Sequence, residues 1–130
     1  MKTLLKGRYP AFAWLLFTTI LLVLPGSAFP EETWLSKIQF DKIVHIGLFA
    51  VMVWLFCRGH YQSGKPRRTL HWLFINVAVN AVLYGITMEF VQKYFIPNRS
   101  FDSGDIVADV AGALIGYGFS YFIYLKGKEA

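Results

Sequence analysis

The sequence has a single cysteine, Cys57, and few charged residues. One cysteine excludes an intrachain disulfide framework and a cluster of cysteine metal ligands. Charged residues make up 16% of the chain, where about 25% is usual for a soluble domain. Disordered chains combine low hydrophobicity with high net charge, so this composition excludes a disordered protein as well.

Apolar residues are abundant instead. They make up 55% of the 130 residues, before the 11 glycines are counted. A soluble chain of this length cannot bury so much apolar surface, because small domains leave a large share of their surface exposed. The net charge of +5 comes from basic residues in short flanks between apolar runs, which is typical of membrane topology and not of nucleic-acid binding. We therefore expect a membrane protein with no nucleic-acid partner.

Four apolar segments follow one another along the chain. A bilayer core of about 30 Å requires about 20 helical residues, and each segment reaches that length alone or with its apolar flanks. Lipid offers no partners for unpaired backbone groups, so each segment is expected to be helical. The sequence predicts one all-α membrane domain over residues 1–130, with four transmembrane helices in two hairpins. The predicted spans are residues 9–26, 40–58, 70–95 and 104–125.

The first apolar segment allows a second interpretation. Basic residues precede it, and the small-residue sequence Pro25-Gly26-Ser27-Ala28 follows it. This arrangement is also typical of a cleaved signal peptide. The residues of this segment alone leave both a retained helix and a cleaved leader open.

The distribution of lysine and arginine predicts the orientation. Of the 13 Lys and Arg residues, nine lie near the two termini and in the 58–69 loop. Cytoplasmic loops carry an excess of Lys and Arg, so these regions are predicted to be cytoplasmic. The other two loops are then expected to face outward.

Three ionisable residues on three predicted helices lie at similar depths below the outward face. Counted at 1.5 Å per residue, Glu89 lies about 9 Å inside the end of its helix, Asp109 about 10 Å and His45 about 6 Å. Ionisable groups inside membranes normally face the bundle interior or a wet cavity and pair with one another. We therefore expect a polar pocket that opens outward.

The expected pocket contains more acidic than basic groups. Its charged members are Asp41, Lys42, Glu89, Lys93, Arg99, Asp102, Asp105 and Asp109. With His45 neutral these sum to a formal charge of −2, so either a carboxyl group is protonated or a cation binds.

Two interpretations of the acidic residues that begin the fourth helix remain. Asp102, Asp105 and Asp109 share one side of that helix and could hold Mg²⁺ or Ca²⁺. Alternatively, Asp102 is an N-cap, Asp105 completes a capping box and Asp109 hydrogen-bonds to another helix. We favour the second interpretation and expect no cofactor and no metal.

Arg99 lies in the short loop between the helices that carry Glu89 and Asp109. Its guanidinium group can pair with a buried carboxylate and hold the two helices together. It can equally hold a phosphate or carboxylate ligand.

Glycines in the last two segments predict close helix contacts. Gly112 and Gly116 form a Gly-x-x-x-Gly sequence, which lets a neighbouring backbone approach closely. We interpret it as packing within the bundle, with dimerisation as the alternative. Gly85 is expected to serve the same purpose in the third segment.

The familiar catalytic signatures are missing from the sequence. It contains no His-Glu-x-x-His, no Gly-x-Ser-x-Gly and no phosphate-binding glycine-rich loop with lysine. Glu89 and Asp109 could act as general acid and base, with His45 as a proton carrier, but there is no evident nucleophile. These residues leave enzymatic activity open and favour a non-enzymatic protein.

An ordered set of residues resembles the VanZ-like family of small bacterial membrane proteins. The matching elements are Asp41-Lys42 with His45, Tyr84-Gly85, Glu89 and Gln92, Pro97, Arg99-Ser100-Phe101-Asp102, Asp105, Gly112 and Gly116. The family usually has a first hydrophobic segment that ends in a Pro-Gly turn, as at Pro25-Gly26, which favours a retained first helix. At the position of Asp109 the family typically has Asn, so a polar hydrogen-bonding group suffices there.

The family takes its name from a protein associated with resistance to the glycopeptide teicoplanin. The resemblance therefore implies a multi-pass protein of the bacterial cytoplasmic (inner) membrane with a cell-envelope role at its outer face. We predict a non-enzymatic accessory protein that binds an extracytoplasmic ligand and modifies glycopeptide sensitivity. The expected site residues are Asp41, Lys42, His45, Glu89, Gln92, Arg99, Asp102, Asp105 and Asp109.

The ligand and the function class remain open at this point. A peptidoglycan precursor, a lipid head group and the antibiotic are the candidate ligands, besides the surrounding membrane lipids, and the sequence does not predict an oligomeric state. A membrane enzyme acting on a lipid-linked or cell-wall substrate is one alternative function. A structural or assembly subunit is the other.

Overall fold

The computed structural model describes residues 7–24, 34–97 and 101–126, with the backbone alone over 34–40. These ranges contain helices and no strand. The helices are α1 (Tyr9–Val23), α2 (Trp34–Tyr61), α3 (Arg67–Phe95) and α4 (Ser103–Ser120), and α4 continues into a π-helical turn, Tyr121–Leu125. The predicted all-helical fold is confirmed for this part of the chain.

Proline and glycine determine where several helices begin and end. Pro10 lies in the first turn of α1, where its missing N–H would have no intrahelical partner in any case. Pro66 immediately precedes α3, and Pro97 follows its end because proline cannot continue a helix. Gly64 has a φ of +73° in the connection between α2 and α3, a backbone conformation that glycine adopts without steric cost.

Three helices are long and apolar enough to cross a membrane. Their spans are Asp41–Tyr61, Arg67–Phe95 and Ser103–Leu125. Each exposes large apolar side chains, for example Ile43 at 66%, Trp72 at 63% and Val107 at 69%. So much exposed apolar surface suits lipid better than water. The 15 residues of α1 are apolar too, but they reach only about 22 Å.

The contact between α2 and α4 is the most extensive in the bundle. A Cβ atom on Gly112 would lie 2.5 Å from the carbonyl oxygen of Ile46, and one on Gly116 would lie 2.5 Å from that of Ala50. Carbon and oxygen atoms do not pack so closely, so only glycine lets the two backbones approach. The Gly-x-x-x-Gly sequence therefore packs inside the bundle, against α2.

Side-chain hydrogen bonds attach α1 to its neighbours. Trp14 Nε1 donates to the carbonyl oxygen of Leu48 in α2, at 2.9 Å. The hydroxyl groups of Thr19 and Tyr84 lie 2.5 Å apart and join α1 to α3. These bonds place α1 beside α2 and α3.

Candidate functional site

Polar side chains of α2, α3 and α4 meet at the end of the bundle where α3 ends and α4 begins. Most are withdrawn from the surface, with His45, Glu89 and Asp109 at most 2% exposed. The side chains of Asp41 and Asp102 are 45% and 46% exposed and form the open side of the group. We call the following residues the polar cluster: Asp41, Lys42, His45, Glu89, Asp102, Asp105 and Asp109.

His45 lies at the centre of the polar cluster. Its Nδ1 atom is 2.7 Å from Asp109 Oδ1, and its Nε2 atom is 3.8 Å from both Asp41 Oδ1 and Asp105 Oδ2. A hydrogen bond at one ring nitrogen fixes the orientation of the imidazole and defines what the other nitrogen faces. Asp109 therefore orients His45, and the second nitrogen faces a pair of carboxyl groups.

Gly85 of α3 provides the space for this pair. A Cβ atom at that position would lie 2.6 Å from Asp109 Oδ2. The carboxyl group of Asp109 thus lies directly against the α3 backbone, with His45 on its other side. The small residue at position 85 is therefore part of the site as well as of the helix packing.

Lys42 is the cation of the polar cluster. Its Nζ atom lies 3.1 Å from Asp102 Oδ2 and 3.3 Å from Asp105 Oδ1. Asp102 lies outside the membrane-spanning helices, and its pKa is below the ordinary value. Burial by itself would raise that pKa, but hydrogen bonds from Lys42 and from the Gly104 N–H stabilise the ionised form and outweigh burial.

Glu89 holds the end of α3 to the start of α4. Asp102 is the N-cap of α4, because its side chain accepts a hydrogen bond from Gly104 N at 2.8 Å, and this prediction is confirmed. The predicted capping box is wrong, because the Asp102 N–H donates to Glu89 Oε2 at 3.0 Å and Asp105 instead pairs with Lys42. The Glu89 carboxylate of α3 therefore accepts the hydrogen bond that a capping box would have assigned to Asp105.

Gln92 and Arg99 were also expected in the site, and the structure describes the first of them. Gln92 is buried one turn beyond Glu89, but its Nε2 atom donates to the carbonyl oxygen of Leu22 in α1, at 2.8 Å. It therefore holds α1 to α3 and lies outside the polar cluster. Arg99 and the Pro25-Gly26 turn lie outside the described residues.

Lys93, which we expected among the cations of the pocket, lies elsewhere. Its Nζ atom is 5.2 Å from the centre of the Tyr94 ring and 5.9 Å from that of Phe101. Among the described residues, the five carboxyl groups of the polar cluster therefore face one lysine and one histidine. In the part of the site that the structure describes, five carboxyl groups thus lie with a single lysine.

Three atoms of the polar cluster lie close enough to one another that they could hold a metal ion. Asp41 Oδ1, His45 Nε2 and Asp105 Oδ2 lie within 4.8 Å of one another. Asp109 at the other nitrogen of the imidazole matches the common arrangement in which a carboxylate orients a histidine ligand. The acidic side of α4 does not form such a group in the described part of the chain, because Lys42 bridges its first two members.

The sequence did not indicate one neighbour of the cluster, Phe49. Its ring lies nearly parallel to that of His45, with 6.5 Å between the ring centres, and it is fully buried. The spacing of four residues between His45 and Phe49 was the available signal, since such residues are neighbours on a helix surface. Phe49 therefore lies beside the imidazole of His45 within the apolar part of the bundle.

A family model described as VanZ/LLP1 matches residues 3–124, nearly the whole chain. The chain belongs to the VanZ/LLP1 family. The resemblance expected from the sequence is thereby confirmed, and with its long apolar helices the chain is a VanZ-like membrane protein. Neither a curated protein nor a solved structure matches it. The range matched to VanZ/LLP1 includes every residue of the polar cluster.

Proposed function

We propose that this VanZ/LLP1 protein crosses the bacterial cytoplasmic membrane four times, in two hairpins, with both ends of the chain in the cytoplasm. Support comes from the separation of charge along the bundle. The polar cluster lies at one end, and basic residues gather at the other end, where α2 ends and α3 begins. Those described are Arg8, Arg58, Lys65, Arg67, Arg68 and Lys126. Basic loops stay in the cytoplasm, so the polar cluster faces outward.

Reporter fusions test this topology. Alkaline phosphatase is active only outside the cytoplasm, so fusions after Gly64 and after Lys126 should be inactive. A fusion after Pro97 should be active. The intact mass of the membrane-extracted chain should include the first apolar segment. An active fusion after Gly64, or a mature chain without that segment, would contradict the proposal.

We infer that the polar cluster binds an extracytoplasmic ligand that carries a protonated amine. The observation that carries this inference is the excess of carboxyl groups over cations, with Asp41 and Asp102 nearly half exposed at the open side. A cationic group is attracted to such a site, because complementary charge steers and orients partners. The stem peptide of a peptidoglycan precursor and a glycopeptide antibiotic both offer amino groups. Capture of either would modify sensitivity to teicoplanin.

Substitution of Asp41 tests this function. The wild-type protein, expressed in a susceptible host, should raise the minimum inhibitory concentration of teicoplanin, and Asp41→Asn should abolish the rise. Asp41→Glu keeps the charge and serves as the matched control, which should retain most of the effect. Equal membrane abundance of the three proteins is verified by immunoblotting. An unchanged effect in Asp41→Asn, or no effect of the wild type, would overturn the proposal.

A membrane enzyme acting on a lipid-linked or cell-wall substrate is the second candidate. The observation that favours it is the setting of His45, whose Nδ1 is held by Asp109 while Nε2 faces Asp41 and Asp105. An imidazole oriented in this way can serve as a general base or hold a metal ion. The purified protein would then convert a lipid-linked precursor, and chelation of divalent cations or His45→Gln would abolish turnover. Full turnover by His45→Gln would exclude this role.

The remaining alternative is a structural subunit in which the polar cluster only holds the helices together. Asp41→Asn and His45→Gln would then lower the thermal stability in detergent without changing teicoplanin sensitivity or any turnover. The same variants therefore distinguish all three functions. Ligand binding predicts a lost phenotype with retained stability for Asp41→Asn in particular, because that side chain is half exposed.

A further inference from the structure

A cavity lies between α1, α2 and α3, away from the polar cluster. Its volume is about 350 Å³, which is within the range of small-molecule sites. Its walls are mainly apolar and come from all three helices. They include Leu15, Met52, Phe56, Leu73, Val77 and Ala81.

The cavity is elongated along the helices. Tyr84 lines its deep end, near the middle of the bundle, and His60 lines the other end. On α2 the lining runs from Met52 to His60, on the order of 12 Å along the helix axis. An elongated apolar space of this kind suits a hydrocarbon chain better than a compact polar solute.

Positive charge surrounds the end of the cavity at His60. Arg8 Nη2 lies 3.4 Å from His60 Nδ1, and Lys65 is close enough to act electrostatically on the same imidazole. The carboxyl groups of the described residues all belong to the polar cluster, at the opposite end of the bundle. Within the described part of the chain, therefore, no carboxylate balances this charge.

Arg8 is held at this position by the backbone around it. The Gly7 N–H donates to Gln62 Oε1 at 2.8 Å. The aliphatic part of Arg8 lies against Gly59, where an added Cβ atom would come within 3.1 Å of Arg8 Cγ. The start of α1 is thus attached to the end of α2, and the guanidinium group stays beside His60.

We propose that this cavity holds one acyl chain of an anionic phospholipid, with its phosphate against the Arg8 guanidinium group at the His60 end. The apolar walls match the chain, and the positive end matches the phosphate, since basic groups at a membrane surface attract anionic head groups. A zwitterionic phospholipid offers the same acyl chain and a phosphate but no net negative charge. Comparing the two lipids therefore isolates the effect of the net charge of the head group. This proposal is independent of the function of the polar cluster.

Native mass spectrometry of the full chain in detergent tests the head group. Dioleoyl phosphatidylglycerol should bind about tenfold more tightly than dioleoyl phosphatidylcholine, because both lipids offer a phosphate but the choline ammonium of the second offsets its charge and is repelled by Arg8 and Lys65. Arg8→Gln should remove the preference. Arg68→Gln removes an exposed arginine, whereas Arg8 is the arginine in contact with the cavity residue His60, so Arg68→Gln should preserve the preference. Equal binding of the two lipids by the wild type would overturn the proposal.

Substitution of two valines on α3 tests whether the acyl chain binds in this cavity. Val77 lines the cavity, whereas Val79 is 52% exposed and lies outside the lining. Val77→Trp should abolish the phosphatidylglycerol adduct, and Val79→Trp should leave it unchanged. Ala81→Leu fills the same cavity with a smaller change and replaces Val77→Trp if that variant does not elute as a folded protein. Unchanged lipid binding in the cavity-filling variant would show that the acyl chain does not occupy this cavity. Displacement of the lipid by inorganic phosphate alone would contradict the proposal in the same way.

Discussion

Replacing Gly112 by alanine adds one methyl group where α4 lies closest to α2. Its carbon would lie 2.5 Å from the carbonyl oxygen of Ile46 and 2.9 Å from Phe49 Cβ. The first of these atoms belongs to the backbone and cannot rotate away. Ordinary contacts begin at 3.4 Å, so the two helices must separate by about 1 Å. Because Ile46 follows His45 directly, this separation would also pull His45 away from its partner on α4.

The expected loss follows from two opposing effects. Overpacking of a close contact costs about 1–3 kcal/mol, whereas alanine is favoured over glycine in a helix by about 0.8–1 kcal/mol. Gly112→Ala should therefore lower the free energy of unfolding by up to about 2 kcal/mol.

Denaturant titration in detergent micelles, followed by circular dichroism, measures the effect of Gly112→Ala. The matched control is Gly118→Ala on the same helix, where nothing lies within 4 Å of the added Cβ atom. The control should be neutral or stabilising by up to about 1 kcal/mol. Equal losses for the two variants would refute the reasoning, because the penalty would then be unrelated to the contact with α2.

Three further outcomes are expected from the polar residues. Asp109→Asn should be mild, whereas Asp109→Leu should cost about 1–3 kcal/mol of unfolding free energy because it leaves buried His45 Nδ1 without its partner; equal losses in detergent would mean that the charge itself matters. Gln92→Leu should lower the unfolding free energy by about 1 kcal/mol and speed proteolysis of α1, since the Leu22 carbonyl loses its donor; an unchanged rate of cleavage would argue against that role. The pKa of Asp102 is lower in the folded protein than in the unfolded chain. Its carboxylate therefore stabilises the fold fully at pH values above the unfolded pKa of about 4. This stabilisation is lost as the pH falls through the lower pKa of the folded state. Asp102→Asn should therefore flatten the acidic part of the curve of stability against pH, and an unaltered curve would contradict this assignment.

Local features of the chain were predictable because their causes are local. Long apolar runs must form helices in lipid, since a helix satisfies its backbone hydrogen bonds within the segment. Pro97 prevents α3 from continuing, and Asp102 caps α4 through an amide only two residues away. The order of the polar residues along the chain was also enough to indicate the VanZ/LLP1 family.

The partners of the polar side chains were decided by the tertiary structure. Gln92 was expected in the site and Lys93 in the pocket, yet Gln92 bonds to α1 and Lys93 lies over aromatic rings. Glu89 accepts the backbone N–H that begins α4, a contact that the sequence did not indicate. Each of these contacts depends on which face of a helix meets which neighbouring helix. An apolar helix in lipid can rotate about its axis and still keep its apolar side chains out of water, so the apolar pattern alone does not determine that face.

The α2–α4 contact removes that freedom. Gly112 and Gly116 let the α4 backbone lie against α2, and this packing brings His45 within 2.7 Å of Asp109, 64 residues further along the chain. The sequence by itself determined the helices, the ionisable residues that they carry and the glycines that permit close approach. Only the packed bundle determined which of those residues meet. The pairing depends on how each helix is rotated and how closely it packs, and the paired residues lie far apart in the sequence.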